Sequence, residues 1–261
     1  MSDGGWGGVA ILTVPRAPHP HSDTPLPTLD ALAANLAAVH DRVAAAATAA
    51  GRDPGAVTLV AVTKYARDAW VRGLLDLGVR DLGENRPQQL TERAGAFAAD
   101  PPVRWHQIGQ LQRNKVRKLL PAAFLTHSVN GEKLLAAVDR VAEEEGLTPA
   151  VLLQANVSGE GSKGGFSPDE LRALCDAGLD RYPHVRVRGL MTMAPAAEPA
   201  VVQAVARPVF AGLRALRDEL AGPEAWPVLS MGMSGDFEPA IAEGATHVRV
   251  GSALFAGLAE D

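Results

Sequence analysis

The chain has one cysteine, few aromatic residues and no long apolar run. Cys175 is the single cysteine among 261 residues, so no intramolecular disulfide can form. No apolar run reaches the roughly 18–20 residues that a membrane-spanning helix needs. The formal charge of −5 argues against a general nucleic-acid binder, because such proteins need a net or concentrated basic surface. These features predict a soluble cytoplasmic protein with neither a membrane nor a nucleic-acid partner.

Residues 1–26 are rich in proline and glycine and are interpreted as a flexible N-terminal extension. A short apolar stretch lies around Val9 to Val14, but Asp3 and four glycines precede it in place of a basic leader region. The stretch is therefore a poor signal peptide. The segment is either a flexible lead-in or the product of a start codon placed too far upstream.

From Thr28 onward, patterns typical of helices and of buried strands alternate. Apolar residues recur at helical spacing from Leu29 to Val43, and Gly51 supplies a stop. Eight strand candidates follow, at 57–64, 79–85, 103–109, 122–129, 150–158, 185–193, 227–232 and 247–255. Crossovers long enough for parallel pairing separate them, and no G-x-G-x-x-G follows the first strand. The pattern predicts an α/β fold: one closed (β/α)8 TIM-type barrel over 27–261 with an extra N-terminal helix.

Two of the predicted helices carry specific local signals. Ser167, Pro168 and Glu170 have the spacing of an N-cap serine, a proline at the first helical position and a capping-box glutamate. Pro208 lies within the helical pattern at 201–220. Because proline removes a backbone donor and clashes with the preceding turn, this helix is expected to be kinked or to begin later.

Candidate binding residues follow the predicted strands. In barrels of this type the functional groups lie at the C-terminal ends of strands, and phosphate often binds after the seventh and eighth. His106 is interpreted as a hydrogen-bonded structural histidine near the site, and Met191 lies near the end of the sixth strand. We assign no catalytic and no metal-binding residue. The candidate binding residues at these positions are Lys64, Asn85, Ser234, Gly235, Arg249, Gly251 and Ser252.

Lys64 directly follows an apolar strand, where a cation is costly to bury unless it is paired or neutral. Burial at the barrel mouth favours the neutral amine, which is the form that attacks a carbonyl. Alternatively, Lys64 reaches water or pairs with Glu84. Position alone does not decide between these interpretations.

Two loops after the last two strands have features of a phosphate site. Ser234 is a plausible N-cap for a short helix, which would leave free amides pointing to the mouth. Gly251 would let the backbone approach an anion, and Ser252 adds a hydroxyl. Asp236 and Glu238 would repel an anion unless they point outward. The alternative is an ordinary capped helix and a tight turn.

Three further features have competing interpretations. Arg249, if it points into the barrel, could donate to a pyridine nitrogen; otherwise it pairs with a helix carboxylate. Lys163 in a glycine-rich loop is a lid element or simply exposed. The basic run Arg113, Lys115, Arg117 and Lys118 is a solvated helix face or a contact for phosphate or RNA.

Six segments carry a family resemblance: LVAVTK, LGEN, WHQIGQLQRNKVRKL, HSVNGEKL, RGLMTMAP and LSMGMSGDFEPAIAEGATHVRVGSALF. Together they resemble the pyridoxal phosphate homeostasis protein family, which is similar to the barrel domain of alanine racemase. The resemblance runs from about Leu29 to Gly257, and the final segment is the most specific. Two residues depart from the family pattern: Arg86 stands where an aromatic residue often follows GEN, and Asn130 stands where Asp is common after HSV.

The resemblance implies pyridoxal 5′-phosphate (PLP) as the cofactor, held as a Schiff base on Lys64. It implies that Arg249 lies at the pyridine nitrogen and Asn85 near the cofactor. It also implies a PLP carrier or buffer that affects vitamin B6 balance, with apo-PLP enzymes as candidate recipients. The residues that it assigns to the phosphate are Ser234, Gly235, Gly251 and Ser252.

The residues favour a carrier over an enzyme. A racemase needs acid/base groups on both faces of the planar cofactor adduct, and Lys64 could serve one. In racemases of this fold the opposing group comes from a second domain, which this chain has no residues left to build. Tyr65 is expected to point away from Lys64 because adjacent strand residues face opposite sides, and Tyr182 is expected to be remote. We therefore expect a non-catalytic protein that is a monomer or a weak dimer.

Three alternatives remain open at this point. One is a PLP-dependent racemase or decarboxylase whose second acid/base group comes from a partner. Another is a phosphosugar aldolase or isomerase that uses Lys64 without PLP. In the third, the basic run at 113–118 is a docking face for another macromolecule.

Overall fold

The structure, a computed structural model, describes residues 27–99, 101–160, 164–198 and 200–258. The N-terminal extension at 1–26 and Lys163 lie outside these ranges, so the predicted domain boundary and the role of Lys163 stay predictions. No helix within the described ranges combines the length and apolarity needed to span a membrane.

Eight parallel strands form a closed barrel in chain order, with β1 paired to both β2 and β8. The predicted fold class is therefore confirmed. Each strand lies within its predicted range. Most predicted ranges extend beyond the C-terminal end of the observed strand, and these extra residues form loops at the mouth. The strands are β1 Thr58–Val62, β2 Asp81–Glu84, β3 Arg104–Gln107, β4 Leu125–Val129, β5 Ala150–Gln154, β6 Arg186–Met191, β7 Val228–Ser230 and β8 His247–Val250.

Helices surround the barrel and bury their apolar faces against the sheet. The extra N-terminal helix α1 precedes β1 as predicted, with Leu32, Val39 and Val43 buried. The helices in the described part of the chain are α1 Pro27–Ala49, α2 Asp68–Asp76, α3 Pro87–Ala96, α4 Val116–Leu119, α5 Glu132–Glu145, α6 Pro168–Asp176, α7 Val202–Leu220, α8 Gly222–Ala225 and α9 Phe237–Ala242.

The two local helix signals have different outcomes. The capping box of α6 is present: Glu170 N–H donates to Ser167 Oγ at 3.2 Å, and Ser167 N–H donates to Glu170 Oε2 at 2.7 Å. Of the two expectations at Pro208, a late start of α7 is wrong, because α7 begins at Val202 and continues through Pro208; a kink stays a prediction. Pro208 is exposed on α7.

The barrel interior is polar on one side and apolar on the other. TIM barrels usually fill this space with bulky branched side chains. Here an apolar cluster is formed by Leu125, Leu152 and Met191. The remaining interior contains polar side chains from β2, β3, β4, β7 and β8: His247 is half-buried, and the buried ones are Asp81, His106, His127, Ser230 and Arg249.

Candidate functional site

A cavity of about 710 Å³ opens at the C-terminal ends of the strands. All seven residues predicted from the sequence line it: Lys64, Asn85, Ser234, Gly235, Arg249, Gly251 and Ser252. They come from loops after β1, β2 and β7 and from the end of β8, so the closure of the barrel brings together positions that are far apart in the chain. Whether these residues bind a cofactor stays a prediction.

Lys64 and Tyr65 lie in the turn after β1, which ends at Val62. Both side chains line the cavity, and Lys64 Nζ lies 5.1 Å from the centroid of the Tyr65 ring. The expectation that Tyr65 points away from Lys64 is therefore wrong. Strand alternation does not apply beyond Val62, where the chain leaves the sheet.

The Glu84 carboxylate is hydrogen-bonded to Thr63 and Arg93 and not to Lys64. Its buried Oε1 accepts from Thr63 Oγ1 at 2.5 Å and from Arg93 Nη1 at 2.5 Å. Burial raises the pKa of Glu84, and the bonds from Thr63 and Arg93 oppose this rise. The alternative in which Glu84 pairs with Lys64 is not what the structure shows.

Arg93 clamps the backbone on both sides of Lys64. It donates to the carbonyl of Thr63 at 2.7 Å through Nη1 and to that of Ala66 at 2.5 Å through Nη2. Arg93 is buried on α3, and its ion pair with Glu84 holds the guanidinium in place. Sequence reasoning missed this role because nothing along the chain links an arginine on α3 to the turn after β1.

Ser234 does not cap α9, contrary to expectation. Its Oγ accepts from the backbone N–H of Gly251 at 3.2 Å and of Ala253 at 3.4 Å, so it ties the β7 and β8 loops together. The residue before α9 is Asp236, whose Oδ1 accepts from Met233 N–H at 2.5 Å. Among the described residues, the Ser234 hydroxyl proton has no acceptor and is available to a ligand.

Free backbone donors face the same region. The amides of Ser234, Gly235 and Ser252 have no acceptor within the described ranges. Grouped backbone N–H donors of this kind suit an anion. The backbone at Gly251 runs close to β1, since a Cβ there would lie 3.3 Å from Val62 Cβ.

The carboxylates that would repel an anion are engaged elsewhere. Asp236 is buried, its side chain is turned to the Met233 amide, and burial raises its pKa. Glu238 pairs with Arg42 of α1 at 2.5 Å. Neither residue lines the cavity.

Gly232 allows the β7 loop to adopt this arrangement. Its φ of +92° lies in the left-handed region, and a Cβ would lie 2.7 Å from Ala240 Cβ. Any other residue would be strained and would push the loop away from α9.

Arg249 points into the barrel. Its Nη1 donates to Ser230 Oγ at 2.5 Å and its Nη2 to the carbonyl of Thr192 at 3.0 Å. Burial lowers the pKa of Arg249 to about 10, and the nearby charge of Asp236 opposes this, so the guanidinium is protonated at neutral pH. The alternative of an ion pair with a helix carboxylate is wrong, as none lies within bonding distance among the described residues.

Asn85 presents an unsatisfied amide to the cavity. Its Oδ1 is buried and has no partner in the described part of the chain. Its backbone is held because Gln107 Nε2 donates to the Asn85 carbonyl at 3.2 Å. A buried polar atom without a partner is costly, so this position favours a polar ligand.

An apolar wall completes the cavity and was missed from the sequence. Trp70 and Phe255 stack with ring centroids 5.5 Å apart, and such surfaces suit a flat ring. Phe255 ends the final segment of the family resemblance, but no pattern in the sequence pairs it with Trp70. The other apolar lining side chains are Val62, Ala66, Ile108, Met193, Met233 and Leu258.

His106 is a buried, hydrogen-bonded residue, as expected, but it does not line the cavity. Its Nε2 lies 3.0 Å from Asp81 Oδ1 and its Nδ1 2.9 Å from His127 Nε2. Met191 is also buried in the interior, and Met193 takes its place at the cavity.

Three interior histidines make stability depend on pH: His106 and His127 are buried, and His247 is half-buried. Burial lowers the pKa of His106 and His127, and lowers that of His247 to about 4. In the unfolded chain each histidine takes up a proton near its ordinary pKa of about 6.5. Because the unfolded state then binds more protons, these groups reduce the free energy of unfolding as pH falls from about 6.5 to 4.5.

We therefore expect His247→Gln to flatten the pH dependence of the free energy of unfolding. The slope between about pH 4.5 and 6 should decrease by up to about 1.4 kcal/mol per pH unit, the contribution of one proton. Denaturant unfolding at a series of pH values measures it. His40→Gln, at an exposed position on α1, is the matched control. Equal slopes for wild type and His247→Gln would contradict the prediction.

The basic run is not one solvated helix. Arg113 and Lys115 lie in a 3-10 turn, and α4 contains only four residues. Arg117 forms ion pairs with Glu144 and Glu145 of α5. Pairing to carboxylates reduces the net positive charge that a nucleic acid would meet.

The fold and the site define a class: TIM-type barrels whose mouth combines a lysine, a buried arginine and loops with free backbone amides. The profile of the family described as "Alanine racemase, N-terminal domain" matches residues 28–259. A pyridoxal phosphate homeostasis protein from Pseudomonas aeruginosa is 44% identical over 231 residues, which cover 87% of this chain and 96% of the relative. Its namesake from Aquifex aeolicus is 40% identical over 223 residues, which cover 84% and 95%.

A solved structure, that of PipY from Synechococcus elongatus with PLP bound, matches with a TM-score of 0.70 and 34% identity. The match covers 86% of this chain and 100% of that one. The chain belongs to the alanine racemase N-terminal domain family and, within it, to the pyridoxal phosphate homeostasis proteins. The family resemblance inferred from the sequence is confirmed.

Proposed function

We propose that this protein binds PLP in the mouth cavity and takes part in PLP homeostasis without catalytic turnover. One observation carries the proposal: Lys64, the two loops after β7 and β8, and Arg249 line the same cavity. The names of the relatives and the PLP-bound structure of PipY support the identity of the ligand.

The residues present fit the cofactor. Lys64 supplies the amine for the Schiff base, and the free amides of Gly235 and Ser252, with the Ser234 hydroxyl, suit the phosphate. The unsatisfied Asn85 amide suits a polar substituent of the ring, and the Trp70–Phe255 wall suits the ring itself. When bound, PLP supplies an aldehyde that reacts with amines and a ring that withdraws electrons.

Arg249 favours storage over turnover. A guanidinium is a permanent donor, so Arg249 would donate to the ring nitrogen and leave it unprotonated. An unprotonated ring is a poorer electron sink. The mouth stays open to solvent, with Tyr65 74% and Met233 38% exposed, so the cofactor can enter and leave. Transfer to apo-PLP enzymes, the oligomeric state and a cytoplasmic location stay predictions.

Borohydride trapping tests the proposal directly. Purified protein titrated with PLP should develop a yellow colour, and reduction followed by peptide mass mapping should place the label on the peptide that contains Lys64. A label spread over exposed lysines such as Lys118 and Lys133, or no label, would argue against the site. A colourless protein that processes sugar phosphates through Lys64 would favour the aldolase or isomerase alternative.

The position of Tyr65 at the cavity raises a second candidate function, that of an amino-acid racemase. The described lining contains three titratable side chains, Lys64, Tyr65 and Arg249, and Tyr65 is the one available as a second acid/base group. If the protein were a racemase, it would exchange the α-proton of an amino acid in deuterated water, and Tyr65→Phe would remove this activity. We expect exchange no faster than with free PLP, both in the wild type and in Tyr65→Phe, as measured by NMR over an amino-acid panel.

A further inference from the structure

A chain of buried hydrogen bonds crosses the barrel interior and ends at the cavity. Asp81 Oδ1 lies 3.0 Å from His106 Nε2, and His106 Nδ1 lies 2.9 Å from His127 Nε2. His127 Nδ1 lies 2.8 Å from Ser230 Oγ, which accepts from Arg249 Nη1 at 2.5 Å. These five residues, from β2, β3, β4, β7 and β8, form what we call the interior chain.

The two ends of the interior chain have fixed hydrogen-bonding roles. Arg249 can only donate, and an ionised carboxylate can only accept. Burial opposes the ionisation of Asp81, but hydrogen bonds from Arg104 and His106 outweigh it and lower its pKa to about 2. Arg104 holds both oxygens, through Nε at 2.7 Å and Nη2 at 2.5 Å. Asp81 is therefore an acceptor throughout the neutral range.

The histidines between these ends are neutral. Burial lowers the pKa of both His106 and His127. The positive charge of Arg104 lowers the pKa of His106 further, and that of Arg249 lowers the pKa of His127 further. Only Asp81 favours protonation of His106. The His247 ring lies 6.1 Å and 6.3 Å from the rings of His106 and His127, and its pKa is lowered to about 4.

One arrangement of protons satisfies every bond. His106 must donate through Nε2 to Asp81, so its Nδ1 accepts from His127 Nε2–H. His127 Nδ1 then accepts the Ser230 hydroxyl proton, which leaves a Ser230 lone pair for Arg249. Each hydrogen bond of the interior chain therefore has its donor on the side of the cavity and its acceptor on the side of Asp81.

We infer that Asp81, His106 and His127 are positioning residues for Arg249, acting through the orientation of the Ser230 hydroxyl. The carbonyl of Thr192 holds the other terminal nitrogen, so the guanidinium is fixed at two points. The part of the inference that concerns the ligand rests on the proposed function, in which Arg249 donates to the ring nitrogen of PLP.

Loss of the Asp81 charge would remove the constraint on direction. With asparagine at this position, the amide can donate to His106 as well as accept from it. Both histidines could then change tautomer, and His127 Nδ1–H would donate to Ser230. The Ser230 hydroxyl proton would lose its acceptor, and Arg249 would share the Ser230 oxygen with a second donor.

The direction of the chain is tested without cofactor. Long-range ¹H–¹⁵N NMR of the wild type should show His106 and His127 with the proton on Nε2. Asp81→Asn should change the His127 ring nitrogen shifts. Asp139→Asn is the matched control, because Asp139 lies 3.6 Å from His184 outside the barrel. An Nδ1–H tautomer at His127 in the wild type would overturn the inference.

The effect on the ligand is tested by comparing PLP with an analogue that has carbon in place of the ring nitrogen. Asp81→Asn should weaken PLP binding about fivefold, as expected for groups in one hydrogen-bond network, and leave analogue binding unchanged. Equal effects on both ligands, or none, would overturn the inference. If the wild type bound no PLP, the proposed function would be contradicted. The NMR result on the histidine tautomers would remain valid, because it is measured without cofactor.

A pair of variants at His127 separates positioning from a packing role. The glutamine amide offers both a donor group and an acceptor, so His127→Gln should retain the preference for PLP over the carbon analogue. His127→Leu fills the space without either group and should lose this preference. The ¹⁵N shift of labelled PLP gives a second readout, since it reports the bond to the ring nitrogen. Identical preference and shift in both variants would contradict a positioning role.

Discussion

Lys64→Ala is expected to leave the purified protein colourless and without a borohydride-fixed label. In the proposed function the Lys64 side chain supplies the nucleophilic amine, and alanine cannot form the covalent bond. PLP affinity should fall by about a hundredfold or more, or ~3 kcal/mol, because only the phosphate and ring contacts remain. Absorbance titration and peptide mass mapping measure both effects.

Lys118→Ala is the control for this substitution. Lys118 is exposed on α4 and does not line the cavity, so colour and label should equal those of the wild type. The fold of Lys64→Ala should persist, since Arg93 holds the carbonyls of Thr63 and Ala66 independently of the lysine side chain. An unchanged amount of borohydride-fixed label in Lys64→Ala would mean that another lysine forms the bond.

Ser234→Asp is expected to weaken PLP binding about a hundredfold while it changes the binding of pyridoxal, which lacks the phosphate, much less. An aspartate at this position places a carboxylate beside the amides of Gly251 and Ala253, where Ser234 Oγ now lies. Like charges at close range cost several kcal/mol, so ~3 kcal/mol is the expected size. Equilibrium binding of the two ligands gives the ratio.

Ser234→Ala is the matched control, since it removes the hydroxyl without adding charge. Loss of one hydrogen bond to a charged group should cost roughly tenfold in PLP affinity. Equal losses for PLP and pyridoxal in Ser234→Asp would show a disturbed loop instead of a phosphate contact. That outcome would contradict the assignment of the phosphate to the loops after β7 and β8.

The predictions that held depend on short stretches of the chain. Strand and helix formation follow the spacing of apolar residues, and the capping box at Ser167 needs only residues three apart. The position of Lys64 at the mouth follows from its place after a strand, once the barrel is inferred. The late helix start expected from Pro208 and the orientation expected of Tyr65 were wrong because local rules were applied where the helix continued and where the strand had already ended.

The interactions that sequence reasoning missed join distant residues. The clamp from Arg93 to Thr63 spans 30 positions, and the bond from His127 to Ser230 spans 103. Ser234 was expected to cap the next helix, but its hydroxyl contacts amides 17 and 19 positions away. Such partners depend on how strands close around the barrel, which no local pattern records.

The order of residues alone thus specified an eight-stranded α/β barrel, its family and the residues at its mouth, because these follow from periodicity, strand ends and shared motifs. Only the folded chain decided that Glu84 binds Arg93, that Tyr65 faces the same cavity as Lys64, and that a directed chain links Asp81 to Arg249. Hydrogen bonds require donor and acceptor within about 3 Å. Closure of the sheet is what brings these side chains that close.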